Sequence, residues 1–191
     1  MRRLFNRRAL AYGLIGCAMS GLLLSASARH SSPSARVIGG TPQGRSGLEL
    51  ALRSRKQTHS LSEEIILEVF LINRSRSAIY LRSPLRWAAG AGLSLAVRHA
   101  VGPSVLVTVL ADSVAPPPRS RDEFISLFPS HIYGVLRVTT AENINIARTG
   151  RYELVADYQS PVPAKMSFGL PISANEHGRV YSNAVTITIT D

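Results

Sequence analysis

The chain has 191 residues, a formal net charge of +10 and a single cysteine, Cys17. That length holds one globular domain with appendages. Setting aside the four Arg of residues 1–28 lowers the charge to +6, and the remaining Arg are spread thinly, with only Lys56 and Lys165 beside them, which argues against a nucleic-acid partner.

Residues 1–28 read as an export signal and place the protein in the periplasm or outside the cell. Arg2, Arg3, Arg7 and Arg8 form a positive head, residues 9–24 an apolar stretch, and Ala26-Ser27-Ala28 a small-x-small cleavage site. Cleavage after Ala28 is the first reading. Leu14-Ile15-Gly16-Cys17 also resembles a lipobox, which would make Cys17 the lipidated N-terminus of a membrane-anchored lipoprotein. An uncleaved anchor is the third reading, since about 20 apolar residues span a bilayer. Membrane contact is thus expected only through the signal or a lipid. Residues 29–47, rich in Ser, Gly, Pro and Arg and without apolar period, read as a flexible linker.

From Leu48 the pattern is β. Leu48, Leu50 and Leu52 alternate with Glu49, Ala51 and Arg53, as in a half-buried strand. Residues 54–62 read as a polar connection. The run EIILEVFLIN, from Glu64 to Asn73, puts Ile65, Leu67, Val69 and Leu71 on one face and is apolar on the other except for Glu68, the mark of a central strand. A turn at residues 73–77 precedes a strand with Ile79 and Leu81 inward, and residues 83–92 form a loop with room for one helical turn. Leu93, Leu95 and Val97 alternate before a Gly-Pro turn and a second strand through Leu110, which together read as a hairpin. Pro116-Pro117-Pro118 stiffens a crossing loop. Strands are then expected near residues 124–128, 132–139, 150–158 and 184–190, and Ile144 and Ile146 are expected to plug the core before the Gly150 corner.

About eight or nine short strands and no helix beyond the leader make the fold all-β. In residues 150–158, GRYELVADY, Tyr152, Leu154 and Ala156 share one face, while Arg151, Glu153 and Asp157 read as a solvated face. This stretch, with the EIILEVFLIN strand and the closing SNAVTITIT, resembles secreted bacterial immunoglobulin-like domains. More loosely it is similar to the bacterial proteinase-inhibitor sandwich family. The resemblance implies an antiparallel β-sandwich over residues 48–191, with the Tyr152 hydroxyl bonded back to the preceding corner.

No catalytic constellation stands out. The five His (His30, His59, His99, His131 and His177) lack zinc-ligand spacing, with His99, His131 and His177 read as surface residues; no Gly-x-Ser-x-Gly elbow exists, and Cys17 leaves the body without a thiol nucleophile. Glu63-Glu64, which introduces a strand, reads as a solvated pair; Asp122-Glu123, after the Pro-rich loop, offers a solvated pair or a cation contact that alone lacks the ligand count calcium wants. The chain is accordingly expected to be no enzyme and to use no cofactor or metal. The leading function is a non-catalytic exported domain binding a protein or peptide through its loops or an exposed strand edge. A β-sandwich proteinase inhibitor is the alternative and a hydrolase the third choice. The candidate partner contacts are Arg86, Trp87, Arg119, Arg121 and Phe168, because Trp and Arg are enriched at binding hot spots and these lie in predicted loops. Growth with radiolabelled fatty acid is expected to leave the protein unlabelled; label that disappears in Cys17→Ala would assign the lipidated form instead.

Overall fold

The computed structural model describes residues 47–88, 91–114 and 116–191; the signal of residues 1–28 with Cys17, and the linker up to residue 46, lie outside them. The described residues are all-β, with eleven strands, four short 3-10 turns and no α-helix. The strands are β1 (Leu48–Ser54), β2 (Thr58–Ser60), β3 (Glu64–Asn73), β4 (Ile79–Arg82), β5 (Gly92–His99), β6 (Val107–Leu110), β7 (Phe124–Leu127), β8 (Ile132–Thr140), β9 (Gly150–Gln159), β10 (Val180–Tyr181) and β11 (Val185–Thr190).

Two larger sheets supply most of the core, to which Ile79, Leu81 and Leu127 of a small third sheet add. In the first, β3 lies between β1 and β8, antiparallel to both. The second has the order β2-β11-β9-β5-β6, with β10 added on β9. The period-two alternation of each sequence run sends its apolar residues to one side. Leu48, Leu50 and Leu52 of β1 and Ile65, Leu67, Val69 and Leu71 of β3 therefore meet Leu93, Leu95 and Val97 of β5, Leu154 and Ala156 of β9, and Ile187 and Ile189 of β11 in one buried cluster. Each such side chain contributes roughly 1.5–3 kcal/mol when fully buried, which is how a body without cysteine offsets the entropy of ordering its chain.

Several elements depart from the sequence expectation. The connection at residues 54–62 contains β2, which pairs in parallel with β11. β4 does not return beside β3: it pairs with β7 in a separate two-stranded sheet, and its other edge takes the Pro-rich segment, with Tyr80 N–H donating to Pro171 O and Ser173 N–H to Tyr80 O, both at 3.1 Å. Phe124, Val162, Leu170, Ile172 and Ala174 form a second small core there. The loop before β5 shows no helical turn in its described residues; Trp87 instead bridges to Leu93. β10 adds a short strand between those expected near 150–158 and 184–190, because Val180 and Tyr181 take the part of the β9 edge that β11 leaves open.

Among described residues β8 pairs only with β3, at the edge of its sheet. Its outer face is apolar and open to solvent, with Ile132, Leu136 and Val138 more than half exposed, while Tyr133 and Val135 pack toward the core.

The Gly150 corner is built around a ring and a hydroxyl. Residues 141–146 turn through a 3-10 segment that ends at Asn145 in the left-handed region, and Ile144 and Ile146 are buried at the end of the core as expected. Tyr152 is 9% exposed and its hydroxyl donates to Arg148 O at 2.9 Å. Gly150 has φ +146°, and a Cβ there would stand 2.8 Å from His99 Nε2. Glycine leaves that space to the His99 ring, which packs edge-on against Tyr152 at 5.0 Å. His99, read as a surface residue, is thus part of the corner. Tyr158 on the same strand is 1% exposed, and among the described residues its hydroxyl makes no well-aligned hydrogen bond, the Ser160 side chain being its polar neighbour. The two tyrosines should differ in their response to loss of the hydroxyl. Tyr152→Phe is expected to cost about 1 kcal/mol, and Tyr158→Phe to cost less, since the oxygen it removes is buried and poorly bonded. Urea unfolding of both variants measures the difference.

Candidate functional site

A cleft of about 340 Å³ opens between the β4–β5 connection, the polyproline loop and the start of the segment after β9. Its lining includes Arg82, Arg86, Arg119, Glu123, Gly92 and four prolines, Pro84, Pro116, Pro117 and Pro161. The prolines supply rigid apolar walls without backbone donors.

The charged groups are held from the backbone. Arg82 ends β4, opposite Phe124, and is 11% exposed at its side chain; its Nη2 donates to Glu123 Oε2 at 2.9 Å. Arg119 N–H donates to Glu123 Oε1 at 2.7 Å, and Ser83 N–H to Glu123 O at 2.7 Å. The Arg119 backbone N–H, and with it the Arg82 guanidinium, holds the Glu123 carboxyl below its ordinary value. Arg86 is fixed through its carbonyl, which accepts the Leu93 N–H at 2.8 Å. Gly92 makes this approach possible: at φ +111°, a Cβ would lie 2.6 Å from Arg86 O.

Of the expected contact residues, the fold brings Arg86 and Arg119 together on this cleft, and both are exposed. Arg121 is exposed on the 3-10 turn that carries Glu123, outside the cleft lining. Phe168 is 46% exposed and stands edge-on to Phe124 at 6.2 Å, also outside it. Trp87, expected to meet a partner, is instead a core residue at 6% exposure, because its bridge to Leu93 turns the ring into the main cluster. The Arg137 guanidinium lies over that ring at 6.0 Å. Sequence reading missed Arg82, Gly92 and Pro161, and paired Glu123 with Asp122 as a solvated pair or cation contact, whereas both its oxygens are taken by Arg82 Nη2 and Arg119 N–H. The signal available was a charged residue closing an inward-alternating strand just before Ser83-Pro84.

Elsewhere part of the charge is spent locally, while Arg53, Arg76, Arg121, Arg148, Arg151 and Lys165 make no ion pair among the described residues. Arg55 pairs with Glu68, Lys56 with Glu63 and Arg74 with Glu49. Among the described residues no three His, Cys, Asp or Glu cluster as metal ligands. His59 is 2% exposed, its Nε2 2.9 Å from Lys56 O; His131 and His177 are exposed. A second, wider hollow of about 570 Å³ lies beside Leu61, Glu142 and Ile146.

Asp157 departs from the expected solvated β9 face, on which Arg151 is exposed and Glu153 half-buried. It is 4% exposed, set between Ser94 of β5 and Tyr181 of β10. Burial pushes its carboxyl up to about 6, and the Arg179 guanidinium at 3.6 Å offsets only part of this. A carboxyl raised in the folded state binds its proton more tightly there than in the unfolded chain. Its contribution is therefore most favourable below about pH 4 and is lost as pH rises through about 6. Asp157→Asn is expected to be close to neutral at pH 4 and to gain up to about 2–3 kcal/mol over wild type at pH 7, read from denaturation midpoints at the two pH values.

No protein-family model and no curated protein matches the chain. Among solved structures it is similar to the sporulation control protein Spo0M of Bacillus subtilis, at 11% identity over 76% of this chain and 50% of that one, TM-score 0.44. It is also similar to a β-glucosidase of Erythrobacter marinus, at 10% identity over 75% of this chain and 15% of that one, TM-score 0.41. A third is the alkylpurine DNA glycosylase AlkC of Pseudomonas fluorescens, at 10% identity over 78% of this chain and 34% of that one, TM-score 0.40. The chain thus spans half or less of each of these proteins, and likeness at this level transfers no activity or ligand to it.

Proposed function

We propose that the chain is an exported, non-catalytic module, an immunoglobulin-like β-sandwich that binds a protein or peptide partner in the cleft between its loops. The convergence of Arg86 and Arg119 carries this reading: remote in sequence, they reach one concave site with fixed backbones, and among the described residues neither guanidinium has a carboxylate within ion-pair distance. Arg beside rigid proline walls in a cleft of mixed polarity is the composition of a recognition site. The Tyr152 bond to Arg148 O and the shared core of two sheets support the immunoglobulin-like assignment. The pairing of Arg55, Lys56 and Arg74 with neighbouring carboxylates fits a protein that does not track nucleic-acid phosphates.

With the full-length chain as bait in envelope extract, Arg86→Ala combined with Arg119→Ala is expected to lower partner recovery about tenfold or more, the loss that 1.4 kcal/mol produces, at unchanged melting temperature. Undiminished recovery would remove the cleft from the binding surface. The same preparation is expected to leave a panel of proteases unslowed; stoichiometric slowing would favour the inhibitor function instead.

A further inference from the structure

We propose that the cleft takes a carboxylate-bearing peptide segment, held by the Arg86 and Arg119 guanidinium groups against the proline walls, an inference that rests on the binding function proposed above. The argument is a balance of donors and acceptors. Each guanidinium carries five N–H donors and no acceptor, and proline offers no N–H. Glu123 has both oxygens engaged, one by Arg82 Nη2 and one by Arg119 N–H. Arg82 spends Nη2 on that bond, while its Nη1 is closed off from solvent without a partner. Arg82 is therefore a strut that neutralises Glu123, and the positive charge that remains in the cleft belongs to Arg86 and Arg119. A cation is repelled from such a site, and a neutral amide covers two guanidinium groups without answering their charge. A carboxylate matches the planar fork of arginine and accepts in bidentate fashion.

Two further observations separate a peptide-borne carboxylate from a free anion. The walls at Pro84, Pro116, Pro117 and Pro161 are apolar surface that suits the methylenes and backbone flanking a Glu or Asp side chain, whereas an isolated anion leaves them unused. The volume of about 340 Å³ lies at the lower end of the range for ligand sites, enough for a short segment. Both arginines are also rooted at fixed backbone positions, Arg86 through its carbonyl bond to Leu93 and Arg119 through its N–H bond to Glu123, so little ordering of the main chain is left to binding.

The test is calorimetric titration of the full-length chain with an acetylated, amidated peptide of alternating Glu and Ala, with the same peptide carrying Gln at every Glu, and with inorganic phosphate as competitor. The acidic peptide is expected to bind about tenfold or more tightly than its Gln counterpart and to weaken as salt rises. Arg86→Gln and Arg119→Gln should each cost a similar factor, and Arg121→Gln, exposed but outside the cleft, should cost nothing. All three side chains are exposed, so unchanged melting temperatures are expected to accompany these results. Equal binding of the acidic and Gln peptides, or an Arg121→Gln loss as large as that of Arg86→Gln, overturns the carboxylate assignment. Displacement by phosphate at concentrations below that of the peptide moves the site to phosphate and overturns it as well. Absence of peptide binding overturns it too, while partner recovery with the paired alanine bait judges the broader binding function separately.

Discussion

One buried asparagine ties the β1-β3-β8 sheet to the β4-β7 ribbon. Asn73 closes β3 at 0% exposure, and its side chain is fully engaged: Nδ2 donates to Ser77 O at 2.8 Å and to Leu127 O at 2.7 Å, while Oδ1 accepts from Ser75 N–H at 2.8 Å and Ser75 Oγ at 2.7 Å. Its backbone N–H donates to His131 O and its carbonyl accepts from Ser130 N–H. The end of β3, the turn into β4, the end of β7 and the turn into β8 therefore meet at one residue. A buried amide satisfied on all sides is worth little more than about 1 kcal/mol per bond, but each partner left open by its removal costs about 1–3 kcal/mol. The junction thus tolerates no approximate substitute.

The cleft depends on that junction. β4 and β7 are four residues each and pair only with one another as strands, too short a ribbon to be stable alone. They are held at one end by the Asn73 bond to Leu127 and along the outer edge by the docking of residues 171–173 on Tyr80. Arg82 and Glu123, the ion pair beneath Arg86 and Arg119, sit at the far end of this ribbon, where Arg82 pairs across to Phe124. Packing of the two main sheets, a satisfied polar junction and a short accessory ribbon together place two unpaired guanidinium groups among prolines.

The long strands were legible because their burial is one-sided. β3 and the alternation of β1, β5, β9 and β11 follow from period-two patterning, and the Tyr152 corner from Gly150 and the aromatic two residues on. Elements set by tertiary pairing were not legible. β2 and β10, of three and two residues, carry no period of their own and exist because β11 and β9 offer them edges. Asp157 stands at an outward position, and only the placement of Ser94 and Tyr181 beside it reveals that the outer face is covered there. Half the candidate site, Arg86 and Arg119, came from loop composition, whereas Arg82 and Glu123 became part of it through a pairing that no sequence spacing encodes.

β8 is apolar along its outer face and at Tyr133 and Val135 of its inner one, and this bears on folding fidelity. Sliding it by one residue along β3 would exchange Tyr133 and Val135 for Ile132, Leu136 and Val138 against the core, at little loss of hydrophobic burial. Discrimination against that misaligned chain falls to Arg137. It reaches inward over Trp87 and pairs with Asp112 at 2.6 Å, contacts made in the observed alignment. An ion pair, not prominent in a hydrophobicity profile, therefore guards this strand against an error that the hydrophobic effect alone would not correct.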